Sequence, residues 1–297
     1  MDLQAYLKER SQLVDKALEQ YMPTLPAPAK VLEEAMRYSL FAGGKRLRPI
    51  LALAAAEAVG GSVEAALPAS CALEYIHTYS LIHDDLPAMV DDDWRRGRPT
   101  NHKAYGEAQA ILAGDALLTQ AFVILTASNY PATVNPEQIR RAIYEIAVAA
   151  GPEGMVGGQS ADIREQGNAA AGPEVLTYIH THKTGALLRS AVRVGAILGG
   201  ATRDQLASLT SYGEKLGLAF QISDDILDAT GDPMLLGKPV KHDAKKQKLT
   251  YVTLCGLEKA RREAANLAKQ AEDSLQSFSA AADPLRALAR FTVERDH

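Results

Sequence analysis

Apolar residues recur every three or four positions along nearly the whole chain, with polar residues between them. The clearest series are Val31, Ala35, Tyr38 and Ala42; Leu73, Ile76 and Tyr79; Leu187, Ala191, Val194 and Leu198; and Leu216, Ala219, Ile222 and Ile226. This interval places the apolar side chains on one face of an α-helix. Runs that alternate apolar and polar residues, as half-buried strands do, are few. The pattern therefore predicts an all-α protein.

Clusters of glycine and proline interrupt the helical pattern, and each marks a predicted turn. They lie at residues 21–28, 43–44, 60–61, 97–99, 130–136, 151–154, 167–173, 199–200 and 231–239. Between them the chain divides into about ten helical segments. Because no long flexible linker separates two halves, we predict one domain over residues 1–297. It would be a single large helix bundle with its sites between facing helices.

Composition and charge exclude several classes of function. The chain has 297 residues, 47% of them hydrophobic, and a formal net charge of −4, so no overall positive field would recruit nucleic acid. The two cysteines, Cys71 and Cys255, form neither a disulfide framework nor a metal-binding spacing, which favours a reducing, cytoplasmic setting. The N-terminus lacks a signal-peptide pattern. We expect no membrane span, since no apolar run reaches roughly 18 residues.

Two acidic clusters follow apolar helical stretches. HDDLPAMVDDDWRRGRP contains Asp84, Asp85, Asp91, Asp92 and Asp93, and FQISDDILD contains Asp224, Asp225 and Asp228. Residues four or seven apart share a helix face, so Asp224 is expected to align with Asp228. Asp84 would align with Asp91 in the same way.

The position of these clusters at the border of a predicted core favours a metal ion. Like charges about 4 Å apart repel by roughly 1 kcal/mol in water and several times more strongly beside protein. Mg²⁺ prefers carboxylate oxygens and is often completed by substrate phosphates, whereas the loop spacing of a Ca²⁺-binding EF-hand is missing. The alternative is a solvated acidic surface.

Basic clusters accompany the acidic ones and indicate phosphate binding. GGKRLRP holds Lys45, Arg46 and Arg48; WRRGRP holds Arg95, Arg96 and Arg98; HTHKTGAL holds Lys183 and Thr184; and LGKPVKHDAKKQKLTY holds Lys238, Lys241 and Lys248. Arginine binds phosphate through paired hydrogen bonds, and lysine binds it as a point charge. Any one basic loop is commonly solvated surface. A cationic loop after each acidic cluster, with a separate basic patch, suits two phosphorylated ligands.

These motifs, in this order, resemble those of a known enzyme family. GGKRLRP, LIHDDLPAM with DDDWRRGRPTNH, ILAGDALLT, GMVGGQSADI, HTHKTGALL, GLAFQISDDILD and LGK with KLTY are similar to the motifs of trans-isoprenyl diphosphate synthases, most closely bacterial farnesyl diphosphate synthases. The resemblance implies an all-α bundle around a deep central cavity and a homodimer. It also implies Mg²⁺-dependent, head-to-tail condensation of an allylic diphosphate (dimethylallyl or geranyl) with isopentenyl diphosphate.

The resemblance also implies a role for each matching residue. Isopentenyl diphosphate would be held by Lys45, Arg48, His77 and Arg96; metal by Asp84, Asp85, Asp224 and Asp228; and the allylic diphosphate by Arg95, Lys183 and Lys238. Thr184 and Gln221 would line the reacting centre. The expected catalytic residues are Lys183, Thr184, Gln221, Arg95 and Lys238. For His77, seven residues before Asp84, a buried structural histidine is the alternative.

The residues just before the first acidic cluster bear on product length. Tyr79 and Ser80 lie roughly 6–8 Å below the Asp84 end of the predicted helix, where a growing prenyl chain would meet Tyr79. By resemblance, an aromatic residue here goes with a 15-carbon product, so we expect farnesyl diphosphate. Geranylgeranyl diphosphate is the alternative product, and an ordinary core tyrosine is the alternative role.

The chain departs from the family pattern at two positions. The resemblance places aspartate at position 90 and serine at position 249, where this chain has Val90 and Leu249. Because Asp91 would share the Asp84 face in a regular helix, we predict that Asp91 supplies the missing metal ligand. Two other interpretations stay open. One is a class I terpene cyclase, which the second acidic motif argues against. The other is a non-catalytic subunit of a heteromeric synthase, which Val90 favours.

Overall fold

Helices account for nearly all regular structure in the computed structural model, which describes residues 1–168, 171–230 and 249–294. The α-helices are α1 Leu3–Tyr21, α2 Lys30–Leu40, α3 Leu47–Ala58, α4 Val63–Asp84, α5 Asn101–Tyr105, α6 Glu107–Ala127, α7 Pro136–Ala150, α8 Met155–Arg164, α9 Pro173–Ile179, α10 Ala186–Leu198, α11 Arg203–Thr230, α12 Tyr251–Cys255, α13 Leu257–Asp273 and α14 Asp283–Glu294. A π-helix, His180–Gly185, joins α9 to α10, and 3₁₀ turns lie at Ala27–Ala29 and Ala280–Ala282. The all-α prediction is confirmed.

The sheet content of the described residues is one small hairpin. Strand β1, Trp94–Arg95, pairs antiparallel with β2, Arg98–Pro99, and the two flank the Gly97 turn. This hairpin carries the arginines that follow the first acidic cluster.

Most helix ends coincide with the predicted breaks. Asn135 caps α7 through a reciprocal capping box with Gln138, directly after the break at 130–136. Breaks after Asp84 and after Asp273 were missed, as were those at Gly106 and Gly256, whose φ angles of 85° and 81° let the chain turn sharply between a short helix and a long one. The chain therefore has more, shorter helices than the roughly ten segments that the pattern predicted.

Helix α4 is enclosed by the rest of the bundle. Fourteen of its 22 residues are buried, on all sides of the helix, and it packs against α3, α6 and α10. A helix that is apolar all round must be covered in this way. Full burial of side chains such as Leu73 and Ile76 stabilises the fold by roughly 1.5–3 kcal/mol each. Because α4 is enclosed, the residues of its last turns, up to Asp84, lie inside the bundle.

Helix α6 bears on the expectation that no segment spans a membrane, which stays a prediction. It is 21 residues long with a mean hydropathy of 1.7 over its most apolar window, so it matches a membrane span by length and composition. The core helices of all-α proteins pass the same test, and α6 packs along α4 in the bundle. Its outer face leaves Ile111, Leu112 and Val123 exposed.

A buried ion pair ties the loop before α3 to α4. Arg46 has a left-handed φ of 49° and is only 4% exposed. Its guanidinium donates to Glu74 Oε1 at 2.8 Å, to Asp15 Oδ1 at 2.8 Å and to the Leu40 carbonyl at 2.9 Å. Because Glu74 is also buried, each charge depends on the other. The loop that contains Lys45, and with it the start of α3 that contains Arg48, is thereby fixed to α4.

Replacement of Arg46 should be strongly destabilising. Arg46→Met leaves the buried Glu74 carboxylate without its cation, and we expect the free energy of unfolding to fall by about 3–5 kcal/mol in urea denaturation. The control is Arg140→Met on α7, since Arg140 pairs with Glu137 at 2.6 Å with both side chains exposed. That variant should change stability by about 1 kcal/mol or less. Equal losses in the two variants would contradict this role for Arg46.

Candidate active site

One cavity of about 480 Å³ brings together residues from α3, α4, α8 and the π-helix. Seven of the sequence-predicted residues line it: Arg48, His77, Tyr79, Ser80, Asp84, Lys183 and Thr184. Apolar residues complete the wall: Leu81, Met89, Met155, Val156 and Ile163. Charged groups therefore meet a mainly apolar chamber, as the resemblance implied.

Two residues that the sequence analysis did not assign, Gln159 in the cavity wall and Asp162, contact the charged groups at the Asp84 end of the cavity. Gln159 donates a short hydrogen bond to Asp84. Lys183 Nζ lies 2.7 Å from Asp162 Oδ2 and 3.9 Å from Asp84 Oδ2. Gln159 and Asp162 are one helical turn apart in GMVGGQSADI, and that spacing was the available signal. Together these groups hold a lysine between two carboxylates.

The π-helix brings Lys183 to this position. Such segments interrupt α-helices and often occur at functional sites. Helix α8 approaches the segment backbone to backbone, because a Cβ on Gly158 would overlap the Lys183 amide. Only glycine permits this approach, and it places Asp162 within reach of the Lys183 ammonium.

A cationic group lies on the other side of the cavity. Among the described residues, Arg48 Nε is buried without a hydrogen-bond partner. Burial, with the nearby Arg48 and Arg96 guanidiniums, holds the pKa of His77 well below its usual range, so the ring is neutral at pH 7. A neutral imidazole and an unsatisfied guanidinium are suitable donors to an anion.

Arg96 is held beside the glycine pair of GGKRLRP. Its Nη1 donates a short hydrogen bond to the Gly43 carbonyl, and a Cβ on Gly44 would overlap the guanidinium. Arg96 itself has a left-handed φ of 53°. Lys45 is exposed on the same loop. The structure thus brings Lys45, Arg48 and Arg96 to one region, as predicted.

Asp85 and Arg95 are paired with each other. Arg95 donates to Asp85 Oδ1 from Nη2 at 2.6 Å and from Nε at 2.9 Å. Asp85 is 2% exposed, and burial raises the pKa of its carboxyl against the opposing effect of Arg95. Both residues line a small separate cavity with Arg96. Their predicted roles in metal and diphosphate binding stay predictions, and each role would require this pair to rearrange.

The helical alignment proposed for Asp91 is wrong. Helix α4 ends at Asp84, and the chain then folds back, with the Val90 amide donating to the Asp84 carbonyl at 2.8 Å. Asp91 has a left-handed φ of 56°, and its carboxylate groups with Asp93 and His102 within 4.8 Å. Its role as a metal ligand remains a prediction without that geometric support.

Asp92, the neighbour of Asp91, interacts with Asp85. After burial, its carboxylate is among the charges that raise the pKa of Asp85, and Asp84 acts in the same direction. The Asp92 amide also donates to the Asp85 carbonyl at 3.3 Å. Sequence reasoning passed over Asp92 because it assumed a continuous helix.

The second acidic motif occupies the last turns of α11. Asp228 is buried and Asp224 is partly buried. Burial is the main cause that lowers the pKa of Arg48, while the charges of Glu74 and Asp224 oppose it, so Asp224 faces the cationic group. Gln221 lies one turn before Asp224, partly buried. Lys238 lies outside the described residues.

The carboxylates of the two acidic motifs, of which Asp84 lines the cavity, are of the type that fits Mg²⁺. Asp84, Asp224 and Asp228 offer carboxylate oxygens, the ligands that this ion prefers. The neighbouring cations Arg48 and Lys183 are placed to bind the remaining oxygens of a metal-bound diphosphate.

Comparisons with known proteins identify the family of this chain. A family model described as polyprenyl synthetase matches residues 29–284. Farnesyl diphosphate synthase of Geobacillus stearothermophilus is 46% identical over 100% of this chain and 99% of its own length. A chloroplastic geranylgeranyl pyrophosphate synthase of Capsicum annuum is 50% identical over 98% of this chain and 78% of its own length.

Solved structures show the same fold. An FPP/GFPP synthase of Zymomonas mobilis superposes with a TM-score of 0.87 at 40% identity, covering 98% of this chain and 99% of that chain. Geranylgeranyl pyrophosphate synthetase of Pyrococcus horikoshii gives a TM-score of 0.90 at 32% identity, covering 99% and 98%. The chain is a prenyltransferase. It belongs to the polyprenyl synthetase family, as a trans-prenyl diphosphate synthase.

The two neighbouring aspartates give a test of the first metal site. Asp92→Asn should raise the Mg²⁺ concentration for half-maximal turnover roughly tenfold, because its charge acts on the Asp84–Asp85 end. Asp91→Asn is the matched control, since asparagine tolerates the left-handed backbone, and should shift it by less than about twofold. Mg²⁺ titrations of initial rate measure both. A large shift in Asp91→Asn alone would instead support the original assignment of Asp91.

Proposed function

We propose that this protein extends an allylic diphosphate with isopentenyl diphosphate and releases farnesyl diphosphate. The observation that carries the proposal is the cavity itself, where Asp84 and Lys183 face Arg48 and His77 above an apolar chamber that contains Tyr79. One side of the chamber carries the Asp84 carboxylate, and the other carries the Arg48 guanidinium. This arrangement suits two diphosphates, one bound through a metal ion and one bound by cationic side chains alone. The relatives are named as synthases of both farnesyl and geranylgeranyl diphosphate, so the product is part of the proposal.

The residues of this chain would first hold the two substrates. Arg48, His77, Arg96 and Lys45 bind the diphosphate of isopentenyl diphosphate by donating hydrogen bonds. Asp84, with Asp224 and Asp228, would hold Mg²⁺, and the bound ion would supply positive charge to neutralise the departing diphosphate. Lys183 donates to the same departing group, and Asp162 keeps the lysine ammonium in place at 2.7 Å.

The reaction then breaks one bond and forms another. The allylic carbon–oxygen bond breaks, the isopentenyl double bond supplies the electron pair of a new carbon–carbon bond, and the resulting cation loses a proton to an oxygen of the released diphosphate. Preorganised charges stabilise the leaving group. Met89, Met155 and Val156 line the chamber and help to exclude water, which would otherwise quench the cation.

Tyr79 is placed to limit the length of the product. It is 7% exposed, and its ring meets His83 edge-on with centroids 5.7 Å apart. His83 in turn bonds the Ile111 carbonyl at 3.0 Å, and a Cβ on Gly114 would overlap its ring. The tyrosine therefore stands against a packed wall between α4 and α6, and cannot easily move aside for a longer chain.

An assay with dimethylallyl and isopentenyl diphosphates and Mg²⁺, with products separated by chromatography, tests the function. We expect the 15-carbon diphosphate from the wild-type protein and longer products from Tyr79→Ala, which removes the barrier. Ser80→Ala is the control, since it removes only a hydroxyl bonded to the His77 carbonyl at 2.8 Å.

Other outcomes of that assay point to other functions. No product longer than the starter would overturn the main proposal. Hydrocarbon formed from the allylic diphosphate alone would indicate a cyclase. Turnover that appears only with a catalytic partner chain would indicate the subunit role that Val90 favours.

The proposal includes a homodimer formed through α6. Ile111, Leu112 and Val123 are 45%, 50% and 45% exposed, and Tyr144 of α7 is 63% exposed. An apolar helix face of this kind is commonly covered by a partner. Free cysteines, with Cys71 buried, support the cytoplasmic setting that we also propose.

Sedimentation velocity tests the dimer. We expect a mass near twice the 31.9 kDa of one chain, and a monomer after Ile111→Glu with Leu112→Glu, because two charges would be buried in the interface. Val31→Glu on α2, also an exposed apolar position at 41%, should leave the mass unchanged. A monomeric wild-type protein would contradict this part of the proposal.

A further inference from the structure

Asp225, the middle aspartate of DDILD, lies in surroundings different from those of its neighbours. On α11 it is turned about 100° from Asp224 around the helix axis. It is 5% exposed, and its described partners belong to the π-helix and to the start of α12.

The first partner of Asp225 is a backbone group. Its Oδ2 accepts the Tyr251 amide hydrogen at 2.7 Å. Tyr251 is the first residue of α12, and amides at that position have no acceptor within their own helix. The capping box of Thr250 and Thr253 satisfies the amides around it, and Asp225 supplies the acceptor for Tyr251. The carboxylate thus completes the start of this helix from a distant segment.

The second partner is a buried histidine. His180 is 4% exposed, its Nε2 lies 3.6 Å from Asp225 Oδ2, and its ring stacks on Tyr251 at 6.2 Å with an interplanar angle of 21°. Burial lowers the pKa of His180 to about 4, so the ring is neutral at pH 7. Asp225 therefore joins three segments: the π-helix with Lys183 and Thr184, the end of α11, and the start of α12.

We propose that Asp225 is a positioning residue and not a metal ligand. This inference rests on the proposed function. By holding the Tyr251 amide and contacting His180, Asp225 fixes the π-helix against α11, and so fixes Lys183 relative to Asp224. Asp225 is 5% exposed, and its Oδ2 accepts the Tyr251 amide hydrogen at 2.7 Å. This carboxylate therefore serves the junction between the segments. Asp224 and Asp228 are then the aspartates of the motif that bind metal.

Substitutions of Asp225 can distinguish a hydrogen-bond acceptor for the Tyr251 amide from an anionic ligand of Mg²⁺. Asparagine keeps an oxygen that can accept the Tyr251 amide, but it is a poor Mg²⁺ ligand. Asp225→Asn should therefore keep turnover within about threefold and leave the Mg²⁺ concentration for half-maximal rate unchanged. Asp225→Ala should lower turnover roughly tenfold or more, because the partly buried Tyr251 amide loses its partner. Asp224→Asn is the matched control and should lose Mg²⁺-supported turnover.

A second pair of variants removes the amide instead. Proline is favourable at the first position of a helix and lacks the N–H, and the extended backbone of Thr250 suits a following proline. Tyr251→Pro should therefore lower turnover as much as Asp225→Ala, and the double variant should be no worse than either single one. Tyr251→Ala keeps the amide while removing the ring, and should be milder.

A metal-free measurement separates the two roles without using activity. In EDTA, Asp225→Ala and Tyr251→Pro should unfold several degrees below the wild-type protein, while Asp224→Asn should not. If Asp225→Asn is as inactive as Asp225→Ala and needs more Mg²⁺, Asp225 is a ligand and the inference is wrong. If Asp225→Ala behaves as the wild-type protein, the junction is dispensable and the inference is also wrong. A wild-type protein without turnover would overturn the proposed function, whereas the EDTA measurements would still test the junction.

Discussion

The enclosure of α4 is the constraint on which the rest of the structure depends. This helix is apolar on every side, and α3, α6 and α10 cover it. Its last turns carry His77, Tyr79 and Asp84 to the cavity, so the packing that stabilises the fold also places reactive groups in a mainly apolar interior. Charges in such a place must be paired. The Arg46–Glu74, Arg95–Asp85 and Lys183–Asp162 pairs meet that requirement.

The fold and much of the site were predictable because their signals are local. Helical periodicity and clusters of glycine and proline act within one or two turns, and they located most helix ends. The same spacing correctly put His77 and Asp84 on one side of α4, where both line the cavity. Residues of the basic clusters could be assigned by motif alone, since no helical register was needed to assign Arg48 or Lys183.

The errors arose where position depends on a distant segment. Asp91 was aligned with Asp84 by assuming that the helix continues, but α4 ends three residues before Pro87 and the chain turns back. Asp162 and Gln159 were missed because their importance comes from contact with Lys183 and Asp84, on other elements. The role that we infer for Asp225 likewise depends on an amide 26 residues later in the chain. Spacing within one motif carries no information about such contacts.

The glycine at position 158 has a consequence for the evolution of this enzyme and for its redesign. Its missing side chain lets α8 rest directly on the backbone of the π-helix, so the width of the cavity at that level is set by main-chain contact. Selection for bulkier or slimmer substrates can exchange Met155 or Val156 on the same helix, because side chains there border open volume. Selection cannot exchange Gly158 in the same way, because any side chain there would overlap the π-helix backbone. Substitutions in the apolar wall can therefore change the substrate range while the distance between Lys183 and Asp162 stays constant.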